Sequence, residues 1–364
     1  MLNRVQSWIS FFFLRTERTF RALEVVPKTR VGLQDWGCVL RASQMFIFYA
    51  IVKSFCDRMS LTKREITLLK ISLLKHFTEN DSEETVFGIQ KIVETGVENN
   101  FGTAGKYWTF FGVLQAFKKL FEAKNARLKD LNVKQMTMSV PLDDFVFCIE
   151  ASGEVRRIAI LKKIYARRKQ EESCCLCDSK KDKEKEDLLE FECQVKVNCL
   201  QCDWKCTLIL TFLSQVSPDS ISKRQFQLIE ELMEIEGYAG GLGGNRQYAY
   251  YFIGTHGSEN LVYLDPHHVS EATIKLDQKN IESYSPSSPL SLHYQSLSLS
   301  YGVTFVITSF EMFEKLEASL ETLKEKYEDD FFLMKYSPDD EVDMMQDSGV
   351  PEGEEAVEVL AFTN

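Results

Sequence analysis

Two short stretches hold residue types that can do chemistry together. In QDWGCVLRASQM, residues 34–45, a turn of Asp35, Trp36 and Gly37 delivers Cys38 to the start of a long apolar run. A cysteine at a helix N-terminus sits in the positive end of the helix dipole, which favours thiolate over thiol. Gly37 lets a substrate carbonyl approach the backbone closely. The N–H of Cys38, unsatisfied within the helix, can help hold an oxyanion. The plain alternative is a small buried hydrophobe, which is how most free cysteines behave.

The second stretch is Tyr263-Leu264-Asp265-Pro266-His267-His268, at the end of a strand pattern. Side chains at i and i+2 share one face of an extended chain, and Pro266 biases Asp265 toward extended geometry. Asp265 and His267 can therefore project together. An Asp beside an imidazole fixes its tautomer, and the imidazole takes a thiol proton. Five histidines occur in all. His256 falls in a hairpin turn, His76 ends an amphipathic helix, His293 lies in a Ser-rich loop, and His268 points opposite to His267. His267 is the best general base. The alternative is a loop with two solvated histidines.

A third group is Cys174-x2-Cys177 and Cys199-x2-Cys202, with 21 residues between the pairs. The spacing is close to a four-thiolate zinc pattern. Such a zinc would staple an insertion and take no part in hydrolysis. A chance cluster in a variable insertion explains the spacing equally.

These residues need elements to position them. Residues 38–56 are apolar on nearly all faces, as in a helix buried at the centre of a domain. Thr62 with Glu65 has capping-box spacing and opens a second helix. Asp81 with Glu84 opens a third, ending at Gly96. GKYWTFFGVLQAFKKLFEAK reads as a fourth. KQMTMSV is a strand, and GEVRRIAILKKIYARRKQ a helix. Residues 171–188 are charged, Cys-rich and aperiodic, hence a loop or insertion. CTLILTFL is a buried strand and ISKRQFQLIEELMEIEG an amphipathic helix. GGLGGN reads as a flexible loop; it follows a helix and lacks the Lys of a P-loop, so nucleotide binding is not indicated. YAYYFIGT and NLVYLD form a hairpin across HGSE. YGVTFVITS is a further strand and FEMFEKLEASLETLKEKY a further helix.

The 364 residues, 44% of them apolar, can bury a sizeable core. The N-terminal WISFFFL is short and is followed by Arg15, Glu17 and Arg18. That is not the pattern of a secretory signal, and it reads as a packed strand or helix. Net charge is −11, but nine carboxylates and no Lys or Arg lie between Tyr336 and Asn364, leaving the rest near −2. There is no basic footprint for nucleic acid. Ten cysteines without a secretory signal point to a reducing, cytoplasmic setting. The division expected is one α+β domain over residues 1–336, with a Cys-rich insertion at about 170–200, and an acidic, disordered tail over 337–364.

The two stretches also resemble the motifs of the autophagins, the autophagy-related cysteine proteases. Trp36-Gly37-Cys38, Leu40-Arg41 and Gln44-Met45 match the nucleophile motif. Gly243-Gly244, Tyr251-Phe252-Ile253-Gly254 and Tyr263 to His267 match the second motif in register. The resemblance implies a papain-like fold with a helical lobe, a central antiparallel sheet and a small family-specific extra lobe. It implies a triad of Cys38, His267 and Asp265, with no cofactor for catalysis. It implies cleavage of a ubiquitin-like autophagy modifier just after a glycine, and release of that modifier from phosphatidylethanolamine, with membranes met only through the substrate. Substrate gating falls to Tyr107 or Trp108, with Gly243 and Gly244 at the site's border. Four departures stand out. Asp35 replaces a Gly. Phe13 or Leu14 stands where the family has a Tyr serving the oxyanion hole. Tyr107-Trp108-Thr109-Phe110 replaces Trp-Tyr-Gly-Pro, and Tyr250 replaces a His. They leave open a second reading, a weak or inactive scaffold that binds the modifier.

Overall fold

The computed structural model describes residues 15–16, 37–78, 85–150, 157–166, 204, 206–215, 220–244, 248–266, 269–270, 290–297 and 300–330. After a two-residue strand β1 (Arg15–Thr16), four helices come first: α1 (Cys38–Arg58), α2 (Lys63–Leu74), α3 (Ile89–Glu98) and α4 (Phe110–Glu122). Strands β2 (Arg127–Val133) and β3 (Met136–Pro141) make a separate hairpin. There follow β4 (Phe145–Glu150), α5 (Arg157–Ala166), β5 (Thr207–Gln215), α6 (Lys223–Glu234), β6 (Tyr238–Gly244), β7 (Ala249–His256), β8 (Asn260–Leu264), β9 (Val269–Ser270), β10 (Leu290–His293), β11 (Ser300–Ile307) and α7 (Phe310–Tyr327).

Among the described residues, seven strands form one sheet in the order β10-β8-β7-β6-β11-β5-β4. The expectation of an antiparallel sheet is corrected at one edge. β4 runs parallel to β5, with Phe145 opposite Thr207. A parallel neighbour needs a long crossover, and the chain between them carries α5. The sheet is covered on both faces. On one lie α1 and the packed rings of α4 and β4; on the other lie α6 and α7. This explains the unbroken apolar run of β5. Leu208, Leu210 and Phe212 enter one core and Ile209 and Leu213 the other.

Local chemistry sets the helix boundaries. The Thr62 hydroxyl accepts from the Glu65 N–H, and the Glu65 carboxylate accepts from the Thr62 N–H at 2.8 Å, a complete capping box. Ser222 and Gln225 repeat it at the start of α6. The third helix begins at Ile89 behind Gly88 and runs to Glu98, later at both ends than the sequence suggested. Asp81 and Glu84 fall outside the described residues. So do WISFFFL, the insertion and the acidic tail.

One sequence expectation fails outright. The glycine-rich stretch taken as a flexible loop is β6, an inner strand paired to β7 and β11. Its glycines make room. A Cβ on Gly240 would overlap the Tyr251 ring, and one on Gly241 would overlap the Tyr301 hydroxyl. Gly240 also has φ +123°, which an L side chain rarely adopts.

Candidate active site

α1 carries the cysteine. Cys38 is its first residue, and Gly37, with φ −84° and ψ −7°, caps it without a side-chain bond. The Gly37 carbonyl accepts from the Arg41 N–H at 3.0 Å. The first-turn N–H groups that precede Arg41 have no intrahelical acceptor. They are the donors an oxyanion would need. Cys38 is 9% exposed, enclosed but open to solvent at its edge. Just below, Arg41 donates to the Gln44 side chain at 3.0 Å, and Gln44 donates to the Phe87 carbonyl at 2.6 Å. That ties the first turns of α1 to the segment leading into α3. α1 is also long and apolar enough by composition to cross a membrane, but most of it is buried inside the protein, as a core helix is.

The carboxylate comes from the sheet. Asp265 follows β8 directly and is half-buried, with Pro266 buried behind it. β8 is fixed from both sides. Tyr263 lies opposite Phe252 of β7 and opposite Leu290 of β10. His267 and His268 lie outside the described residues. The chain is described again at β9, whose Val269 and Ser270 pair with Arg15 and Thr16 of β1. The other three histidines have different surroundings. His76 is buried, its Nε2 2.9 Å from the Lys129 carbonyl. His256 ends β7. His293 ends β10 instead of lying in a loop, 3.5 Å from Glu259.

A phenol joins these two arms, and the sequence reading treated it only as a departure from the family motif. Tyr250 is 7% exposed and pairs with Gly243 of β6. Its ring centroid is 4.3 Å from that of Tyr263 and 6.2 Å from that of Tyr248. Burial, and then Tyr263, Asp265, Tyr248 and Cys38, push its hydroxyl well above the ordinary tyrosine value. It therefore stays a neutral donor within electrostatic reach of both Asp265 and Cys38. A β-bulge between Phe252 and Gly254 shifts the β7–β8 register by one residue, so counting back from the HGSE turn does not find the place of Tyr250.

The gating candidates separate. Trp108 is 3% exposed, its indole packed where Gly96 and Gly102 leave space and its Nε1 donating to the Thr103 carbonyl at 2.9 Å. It is a core side chain. Tyr107, beside it, is 54% exposed. Gly243 and Gly244 sit in the ladder at the C-terminal end of β6. The four cysteines of the zinc pattern lie outside the described residues. Among the described residues no group of three or more His, Cys, Asp or Glu side chains is placed to hold a metal.

Comparison with known proteins identifies the family. Residues 23–319 match the model of the Peptidase C54 catalytic domain. The chain is similar to the cysteine protease ATG4B of Xenopus laevis, 25% identical over 321 residues that cover 86% of this chain and 73% of that protein. It is also similar to a probable cysteine protease atg4 of Aspergillus clavatus, 28% identical over 115 residues, 30% of this chain and 28% of that one. A match over most of its length settles the family: the chain belongs to the Peptidase C54 family of autophagy-related cysteine proteases.

Proposed function

We propose that this peptidase works through Cys38, His267 and Asp265. It would cut a ubiquitin-like autophagy modifier after its C-terminal glycine and release the same modifier from phosphatidylethanolamine. The observation that carries the reading is the placement of Cys38 on the uncapped first turn of α1, with Asp265 at the end of β8. His267 stands two residues beyond that carboxylate in the chain, a spacing that lets both side chains share one face of an extended segment. The thiolate attacks the glycine carbonyl, and the first-turn N–H groups steady the oxyanion. The imidazolium gives its proton to the leaving amine, and water then hydrolyses the thioester. A peptide extension and an ethanolamine headgroup are both amides at one glycine, so one site serves both.

Tyr107, exposed beside the start of α4, is the better gate, because Trp108 would have to leave the core to move. Gly243 and Gly244 border the site through their pairing with Tyr250 and Ala249. The setting is the reducing cytoplasm, with lipid met through the substrate. No cofactor serves the hydrolysis. A structural zinc on Cys174, Cys177, Cys199 and Cys202 is a separate proposal, tested by metal content before and after Cys177→Ser.

The test mixes the purified protein, and its Cys38→Ala form, with a modifier carrying an extension past the glycine. Shortening by the wild type alone supports the reading. Binding without cutting by either form would leave the second reading, a scaffold of the same fold, which an acid three positions before Cys38 in the sequence, Asp35, favours.

A further inference from the structure

Neighbouring strands set the orientation of Asp265. The register of β7 and β8 places Phe252 opposite Tyr263 and Tyr251 opposite Leu264. β8 ends at Leu264, and extending its register by one residue would set Tyr250 opposite Asp265. Residues directly opposite in an antiparallel pair have Cβ atoms about 5 Å apart on one face. The Tyr250 ring is wedged against Tyr263, two residues before Asp265. On its other side Tyr250 pairs with Gly243, which has no side chain to crowd it. Among the described residues, the titratable groups around its hydroxyl are Tyr263, Asp265, Tyr248 and Cys38.

We propose that Tyr250 is a positioning residue for the peptidase centre: its hydroxyl bears on the Asp265 carboxylate and fixes the orientation in which Asp265 serves the triad. The proposal rests on the triad reading above. A purely structural tyrosine would act only through ring packing. A positioning hydroxyl acts through the carboxylate, so its removal is felt in the ionisation of the nucleophile. With Asp265 less firmly held, the imidazolium is less stabilised and the thiolate needs higher pH to form. The loss is then largest on the acid side.

The experiment measures alkylation of Cys38 by iodoacetamide at pH 6 and pH 8, read by mass spectrometry of the Cys38 peptide. The full-length wild type, Tyr250→Phe, Tyr250→His and His267→Ala are compared, and thermal unfolding of each is recorded. Tyr250→Phe keeps the ring and should slow alkylation about tenfold at pH 6 and less at pH 8, with an unchanged unfolding midpoint. Tyr250→His, which restores a donor, should recover most of the pH 6 rate. Wild-type rates in Tyr250→Phe would overturn the proposal. So would equal slowing at both pH values with a lowered midpoint. If His267→Ala is slow and Tyr250→Phe normal, the triad stands and only the role of Tyr250 is lost. If His267→Ala alkylates as fast as the wild type, the triad itself fails and the proposal falls with it.

Discussion

The two described arms of the site are held by opposite means. Cys38 heads a helix buried on almost every side, set between α4 and the sheet. Asp265 stands just past the end of a five-residue strand, half-exposed, its place fixed by the register of β7 and β10. Volume packing locates the proposed nucleophile, and strand pairing locates the proposed acid. Damage to the first should therefore be read in stability, and damage to the second in activity.

The sharpest way to break this contrast is Asp265→Asn. It should lower kcat/KM by about 10²- to 10⁴-fold with stability nearly unchanged, measured by modifier cleavage beside urea unfolding. Large destabilisation would mean that the carboxylate is structural. Phe46→Ala is its counterpart. Phe46 is fully buried on α1, its ring centroid 6.4 Å from that of Phe147 in β4. The change should cost about 3–5 kcal/mol of stability, with activity per folded molecule preserved well below the new midpoint.

Lys70 of α2 sharpens the comparison at the far end of α1, where it faces Cys56. Burial lowers its ammonium to about 8, with Cys56 opposing the shift. An unfolded lysine titrates near ~10.4. Between those values the unfolded state binds more protons, so this group makes stability rise with pH by at most about 1.4 kcal/mol per unit. Cys56 acts in the opposite sense. Burial, then Asp57, raises its thiol to about 11, and its contribution is lost as pH rises through that value. The rise should thus be clearest from about pH 8 to pH 9, and Lys70→Met should flatten it in urea titrations at several pH values. The smallest expected stability effect is at Tyr107, and it contrasts with that at the adjacent Trp108. Tyr107→Ala should change stability by less than about 0.5 kcal/mol and alter KM. Trp108→Ala should cost about 3–5 kcal/mol and leave a less stable enzyme.

Long periodic elements were legible before any coordinates. The all-round apolar run gave α1, the Thr62–Glu65 pair marked the start of α2, and the HGSE turn joined β7 to β8. β2 escaped notice because Lys129 and Asp130 break its pattern. Asp130 has φ +55°, and the register shifts between Leu128 and Leu131. β6 was hidden by its glycines. They signal turns when neighbours are unknown, and here they accommodate tyrosines from adjacent strands. At the site, residue types alone singled out Cys38 and Asp265. They were silent on Tyr250, whose place depends on pairing across the hairpin. They also could not divide Tyr107 from Trp108, since both are aromatic and burial is a tertiary property.

The strand order has a consequence for how the protein comes into being. β11 sits between β6 and β5, yet it is the last strand of the sheet to leave the ribosome. Until it inserts, β5 with β4 and the group of β6, β7, β8 and β10 are two unjoined pieces, and the surface that receives α1 is incomplete. The helix that bears Cys38 precedes β11 in the chain and must wait for residues some 250 positions downstream. Contacts that distant close slowly and leave apolar surface exposed meanwhile. Assembly of a finished catalytic centre is thereby deferred until nearly the whole chain is available, so a nascent fragment holds a thiol without a working enzyme around it.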